Sequence, residues 1–154
     1  MSKLEITKSP YLAEVEVSYK TKVKAADRPL LNDSQKCYDY LMDIWSGKIE
    51  YCEEFVIVML NRANKSLGWV KISQGGVIGT VVDRKMILQP AILANASSIV
   101  IAHNHPSGNT KPSQEDLRLT KEIQAACKFM DINLIDHIIV TFEGYYSFAD
   151  EGVL

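Results

Sequence analysis

Apolar residues along the chain recur with two periods. Tyr11, Ala13, Val15, Val17 and Tyr19 alternate with Glu14, Glu16 and Ser18, the pattern of a half-buried strand that pairs within the domain or across a dimer. Asn32-Asp33-Ser34 supplies helix-cap chemistry, and Tyr38, Leu41, Met42 and Trp45 then recur at helical spacing until Gly47. Residues 53–60, EEFVIVML, read as a buried strand, and the turn-prone Asn61-Arg62-Ala63-Asn64 joins it to a second strand over 67–73 as a hairpin. Gly75, Gly76 and Gly79 mark turn geometry; no Lys-Ser/Thr follows them as a phosphate-binding loop requires.

Helical spacing resumes over 84–96, with Pro90 either kinking the helix or forming its first residue. Residues 97–102 form a short apolar strand running directly into His103. Pro112-Ser113 opens another helix, whose buried stripe is Leu119, Ile123, Ala126, Cys127 and Met130. Residues 137–142 and 145–148 flank Glu143-Gly144 as a hairpin. Helices alternating with strands predict a mixed α/β domain.

Composition narrows the function classes. A length of 154 residues fits one domain able to bury a core without disulfides, and a formal charge of −2 lacks the basic balance of a nucleic-acid-binding protein. Lys20, Lys22, Lys24 and Arg28 form a small basic cluster that reads as a solvated edge. Cys37, Cys52 and Cys127 make no C-x-x-C pair and leave an odd thiol, against a disulfide frame or zinc ribbon. The first residues lack the apolar run of a secretory signal, and no stretch approaches bilayer-spanning length. A cytoplasmic protein without membrane association is expected.

The chemistry concentrates in one segment. Two of the 3 histidines, His103 and His105, stand one residue apart, and Ser113 and Asp116 follow. Side chains two apart in an extended segment point the same way, so both imidazoles can meet at one point. The 107–110 loop turns the chain back, and Asp116 lies in the first turn of the next helix. Two imidazoles and one carboxylate are the usual protein complement of a catalytic zinc site; the set also suits non-haem iron. Ser113 and Asp116 equally resemble a capping box, and the two readings are compatible. Glu53 and Glu54 open an otherwise apolar strand, and either can serve as the proton acceptor such a site needs. Asp136 and His137, at the entry of a late strand, read as structural.

The pattern H-x-H-x7-S-x-x-D is similar to the signature of the JAMM (MPN-plus) metalloprotease domain. The strings AHNHPSGNTKPSQEDLRLT and LIDHIIVTFEGYYSFADEG resemble the bacterial RadC family, long labelled for DNA repair. The resemblance runs from about Leu31 to the end, so residues 1–30 are expected to form an N-terminal extension with an edge strand and residues 31–154 the RadC-like JAB/MPN domain. It implies a cytidine-deaminase-like α/β fold, a central mixed sheet with flanking helices. It carries zinc ligation to His103, His105 and Asp116, stabilisation of the tetrahedral intermediate to Ser113, and the general base to Glu53, with Glu54 as fallback. Asn61 replaces the family's Asp. Residues before 31 show no likeness to the helix-hairpin-helix region of longer members, and Pro90 falls where the family continues a helix.

The expected function is therefore zinc-dependent hydrolysis of a peptide or isopeptide bond. A JAB-fold interaction module without catalysis, and a DNA-repair accessory with weak nucleic-acid association, are the rival readings. A homodimer formed through residues 11–19 is a further expectation. A deaminase is disfavoured because no P-C-x-x-C ligand set is present.

Overall fold

The central strands are those whose sequence is apolar on both faces. In the computed structural model, which describes residue 13 and residues 15–75 and 82–154, β1 (Glu54–Leu60) and β3 (Ser98–Asn104) are buried along their whole length. β2 (Ser66–Gln74) pairs with β1 as the expected hairpin, β4 (Asn133–Val140) lies parallel to β3, and the short β5 (Tyr145–Ser147) closes the far edge. The sheet order is β2-β1-β3-β4-β5, mixed as expected for the fold class. Among the described residues only the β3–β4 pair is parallel, so its strands are joined by a long crossover connection, here helical.

Period-two alternation sorts the central strands into two cores. Val56, Val58, Leu60, Val100, Ala102, Ile138 and Val140 point to the face covered by α1 (Ser34–Ile44), through Cys37 and Leu41. Phe55, Ile57, Met59, Ile99 and Ile101 point to the opposite face, covered by α2 (Arg84–Leu93) and α3 (Gln114–Phe129). Each of these three α-helices begins on a side-chain cap: Asp33 accepts from Lys36 N, Asp83 from Lys85 N and Ser113 from Asp116 N. These bonds satisfy N–H groups that have no partner within the helix.

Several expectations need correction. The strand over 11–19 lies partly outside the described residues, and its described residues, 13 and 15–19, carry no ladder. An alternating segment gains a buried face only from a partner; here Val15 and Val17 are 86% and 66% exposed, and the Tyr19 hydroxyl reaches the sheet at the Leu67 carbonyl. Pro90 is inside α2 rather than at its start. Met130 caps α3 and is exposed, because the helix ends before its stripe turns inward again. β4 starts at Asn133, four residues earlier than the sequence pattern indicated, since pairing with β3 supplies order that periodicity did not reveal. The glycines at 76 and 79 lie outside the described residues. Among the described residues, no helix is long and apolar enough to cross a membrane.

Candidate metal centre

The β3–α3–β4 unit places the carboxyl end of β3 beside the start of α3, where ligands of open α/β sheets collect. β3 extends through His103 and Asn104, further than its apolar run, because parallel pairing with β4 continues to Asn104↔Val140. Antiparallel pairing of β1 with β3 sets Phe55 opposite His103, so the start of β1 arrives at the same end of the sheet.

Three side chains converge there. His103 Nε2 lies 3.0 Å from His105 Nε2 and 3.2 Å from Asp116 Oδ1, and His105 Nε2 lies 3.6 Å from Asp116 Oδ2. A tetrahedral ion bound at about 2.0–2.1 Å separates its ligand atoms by about 3.3 Å, so these spacings fit one ion. The three candidate ligand atoms all lie within 4.8 Å of one another. His105 Nδ1 is 2.6 Å from the Asn109 carbonyl. A carbonyl can only accept, so a neutral His105 carries its proton on Nδ1 and turns a bare Nε2 lone pair inward. A lone pair crowded against a carboxylate calls for a cation, and this donor chemistry fits a metal.

Asp116 fills both roles that its sequence position allowed. Its Oδ2 accepts from Ser113 N at 2.7 Å while Ser113 Oγ accepts from Asp116 N at 3.1 Å, a complete capping box. The box aims Oδ1 at His103. Ser113 uses an oxygen lone pair as the cap, which leaves its hydroxyl hydrogen to be donated elsewhere.

Glu53 and Glu54 separate cleanly. Glu53 is adjacent to the first residue of β1 and lines a cleft of about 330 Å³ with Phe55, His103, Asp116, Arg84, Arg118 and Leu119, among others. Glu54 points to the other face, 1% exposed, where it accepts from Lys71 Nζ at 2.8 Å and Ser46 Oγ at 2.6 Å. Asn104, between the two histidines, also turns to that face. Its amide donates to the Ile49 and Cys52 carbonyls and its Oδ1 accepts from Glu54 N at 2.7 Å, tying the loop before β1 to β3. At the mouth of the cleft, Arg84 pairs with Glu122 and Arg118 with Glu115.

His137, read as structural from the sequence, gains a partner in the fold that its neighbours in the chain do not reveal. It is fully buried, its Nε2 is 2.8 Å from His103 Nδ1, and its ring stacks on Phe148 at 4.4 Å. Burial, followed by the nearby His103, pushes its pKa well below the usual histidine value, so it is neutral. An imidazole set among the apolar residues of a strand was the available signal, because a buried imidazole requires a hydrogen-bonding partner. Asp136 has the structural role expected: it is buried and accepts from Ser147 Oγ, Ala149 N and His137 N, organising the β4–β5 corner.

Without a metal, the side chains of the centre shift one another's protonation. Burial acts to raise the Asp116 carboxyl, but hydrogen bonds from His103 and His105 outweigh it and hold the group below the usual carboxylate range. The bond to Asp116 in turn raises His105 against the effect of burial, aided by the Asn109 carbonyl and the charge of Glu53. A raised histidine stabilises the fold fully below its unfolded pKa of about 6.5, and that stabilisation disappears as pH rises through the higher folded value. A lowered carboxyl stabilises above its unfolded pKa of about 3.9 and loses the effect as pH falls through the folded value. Both contributions are thus present between about pH 4 and 6.5. Metal-free protein is expected to lose melting temperature as pH rises above that window, and His105→Ala to flatten the loss. Equal pH profiles for the two proteins, measured by thermal melts in chelator, would contradict this.

Comparison with known proteins agrees with this architecture. A profile of the RadC-like JAB domain matches residues 31–153. The chain is similar to a UPF0758 protein of Flavobacterium johnsoniae, 41% identical over 101 residues that cover 66% of this chain and 44% of the relative. Identity to the Porphyromonas gingivalis UPF0758 protein is 42% over 103 residues, covering 66% and 45% of the two chains. For Aquifex aeolicus it is 35% over 124 residues, covering 80% and 52%. The matched region spans about half the length of these curated relatives.

Proposed function

Because this chain belongs to the RadC-like JAB domain family, we propose that it is a zinc-dependent hydrolase of the JAMM type, cleaving a peptide or isopeptide amide bond. The observation that carries this reading is the convergence of His103, His105 and Asp116 at ligand spacing, with His103 and Asp116 lining a cleft that also holds Glu53. Imidazole and carboxylate donors suit zinc. The thiols do not compete: Cys37, Cys52 and Cys127 are all buried, and burial pushes Cys37 up to about 12 and Cys127 up to about 11.

When bound, zinc supplies Lewis acidity and lowers the pKa of water in the site to about 7. The protein supplies the remaining chemistry. Glu53 takes the proton of the attacking water and delivers it to the departing amine. Ser113 donates its hydroxyl hydrogen to the oxyanion that develops on the former carbonyl oxygen. Phe55 and Leu119 give the cleft apolar walls, and its volume of about 330 Å³ suits a short peptide segment more than a folded surface. The paired Arg84–Glu122 and Arg118–Glu115 side chains leave the mouth close to neutral, which suits an uncharged amide.

The test is hydrolysis of quenched peptide and lysine-isopeptide libraries by zinc-loaded, metal-stripped and zinc-restored protein. Cleavage that disappears on stripping and returns with zinc is expected. About one zinc per chain with no amide cleaved would instead favour a JAB-fold interaction module, and activity restored by ferrous iron alone would replace zinc with iron.

A further inference from the structure

The histidine that ligates metal through Nε2 must keep its proton on Nδ1, and free imidazole does not strongly enforce that choice. For His105 the Asn109 carbonyl enforces it. His103 Nδ1 instead faces a second imidazole, that of His137, at 2.8 Å. Two ring nitrogens facing each other allow either direction of donation, so the direction is set further along. His137 Nδ1 is 2.6 Å from Thr120 Oγ1, and Thr120 Oγ1 donates at 2.6 Å to the Asp116 carbonyl. That carbonyl can only accept, so the Thr120 hydrogen is committed to it and only an oxygen lone pair faces His137. His137 must then carry its proton on Nδ1 and leave Nε2 bare. A bare His137 Nε2 accepts from His103 Nδ1–H, which leaves His103 Nε2 bare toward Asp116 and His105.

We infer that His137 and Thr120 are positioning residues, forming a one-way hydrogen-bond relay from the Asp116 carbonyl that sets His103 in the tautomer able to ligate metal. The inference rests on the metal-centre reading above. The relay begins and ends at the same site: Asp116 offers its carboxylate to the metal and its carbonyl to the chain of donors that orients His103. It spans β3, β4 and α3, and the members beyond Asp116 are buried, with Thr120 1%, His137 0% and His103 5% exposed. Water therefore has little access to substitute for a missing partner. Phe148 stacked on His137 and Phe55 parallel to His103 at 6.2 Å hold the two rings in place.

Thr120→Val is the discriminating change, since it keeps the shape and removes the hydroxyl. His137 Nδ1–H then lacks an acceptor and the ring turns to its other tautomer. Its proton moves to Nε2 and faces His103 Nδ1, so His103 must carry its own proton on Nε2, where the metal would bind. Removing an outer partner of a metal-bound histidine typically weakens affinity about 10–100-fold, and that loss is expected for T120V. Thr120→Ser restores the hydroxyl and should return affinity to within about threefold of the parent, well inside that range.

Zinc affinity would be measured by competition with a chromophoric chelator for the parent, T120V, T120S and His137→Phe. Ring nitrogen-15 spectra of the zinc-loaded parent would report the tautomers directly. The expected result is weak binding by T120V and H137F, recovery in T120S, and a His137 ring protonated on Nδ1 and bare on Nε2. Parent-like affinity in T120V, or a His137 ring protonated on Nε2 in the loaded parent, would overturn the relay while leaving the metal centre in place. A parent that binds no zinc would overturn the metal centre and the relay with it. If T120V fails to fold, the tautomers of the parent still decide the question.

Discussion

Replacing Glu53 by glutamine is expected to lower amide hydrolysis by about 10²–10⁴-fold, the usual contribution of a positioned general base, with zinc content unchanged. The argument is one of register. Phe55 pairs with His103 across β1 and β3, so Glu53, two residues before Phe55, lies on the histidine side of the sheet. It lines the same cleft as His103 and Asp116, and its charge contributes to raising His105. Glutamine keeps the size and hydrogen-bonding atoms but cannot take a proton at neutral pH. Glu54→Gln is the control. Glu54 lies on the other face with Lys71 and Ser46, so its loss should lower stability and leave turnover per folded, zinc-loaded chain unchanged. Kinetics beside metal analysis separate the two, and full activity in E53Q would remove Glu53 from the mechanism.

Asp116→Asn is expected to abolish tight zinc binding, with affinity falling by more than the roughly 100-fold typical of losing an outer partner. Asparagine retains an oxygen that can accept from Ser113 N, so the capping box survives and α3 keeps its start. It loses the negative charge that offsets the cation and makes the carboxylate a strong ligand. A variant with a parent-like melting temperature in chelator and no bound zinc would establish the metal role separately from the capping role. Asp116→Ala combines the two losses, because it also removes the acceptor for Ser113 N. A D116N protein that binds zinc as the parent does would reduce Asp116 to its cap.

The distribution of legible and illegible features follows the range of the interactions behind them. Local patterns carried the α/β class, the β1–β2 hairpin and the cap at Asp33, because propensity and periodicity act within a few residues. The H-x-H spacing and the S-x-x-D that follows were legible for the same reason. Both lie on short segments whose geometry is local, and Ser113 could be read as a cap for α3 from its immediate neighbours. The segment over 11–19 shows the limit of such reading. Its alternation is local, but a strand also needs a partner edge, and none pairs with its described residues.

Tertiary structure decided what depends on register and on distant pairs. Period two states that Glu53 and Glu54 face opposite ways but cannot say which way the site lies; the pairing of Phe55 with His103 does. Asn104 reads as a spacer between two histidines until the loop before β1 folds onto it, 50 residues earlier in the chain, through the Glu54 N bond. His137 lies 34 residues from His103 and 17 from Thr120, separations at which no periodicity connects them. The sequence by itself determined which side chains can ligate a metal and in what local order they stand. Only the packed sheet and α3 decided which carboxylate faces them and which buried partner directs their lone pairs, because desolvation forces each buried polar atom to find a partner wherever the fold brings one.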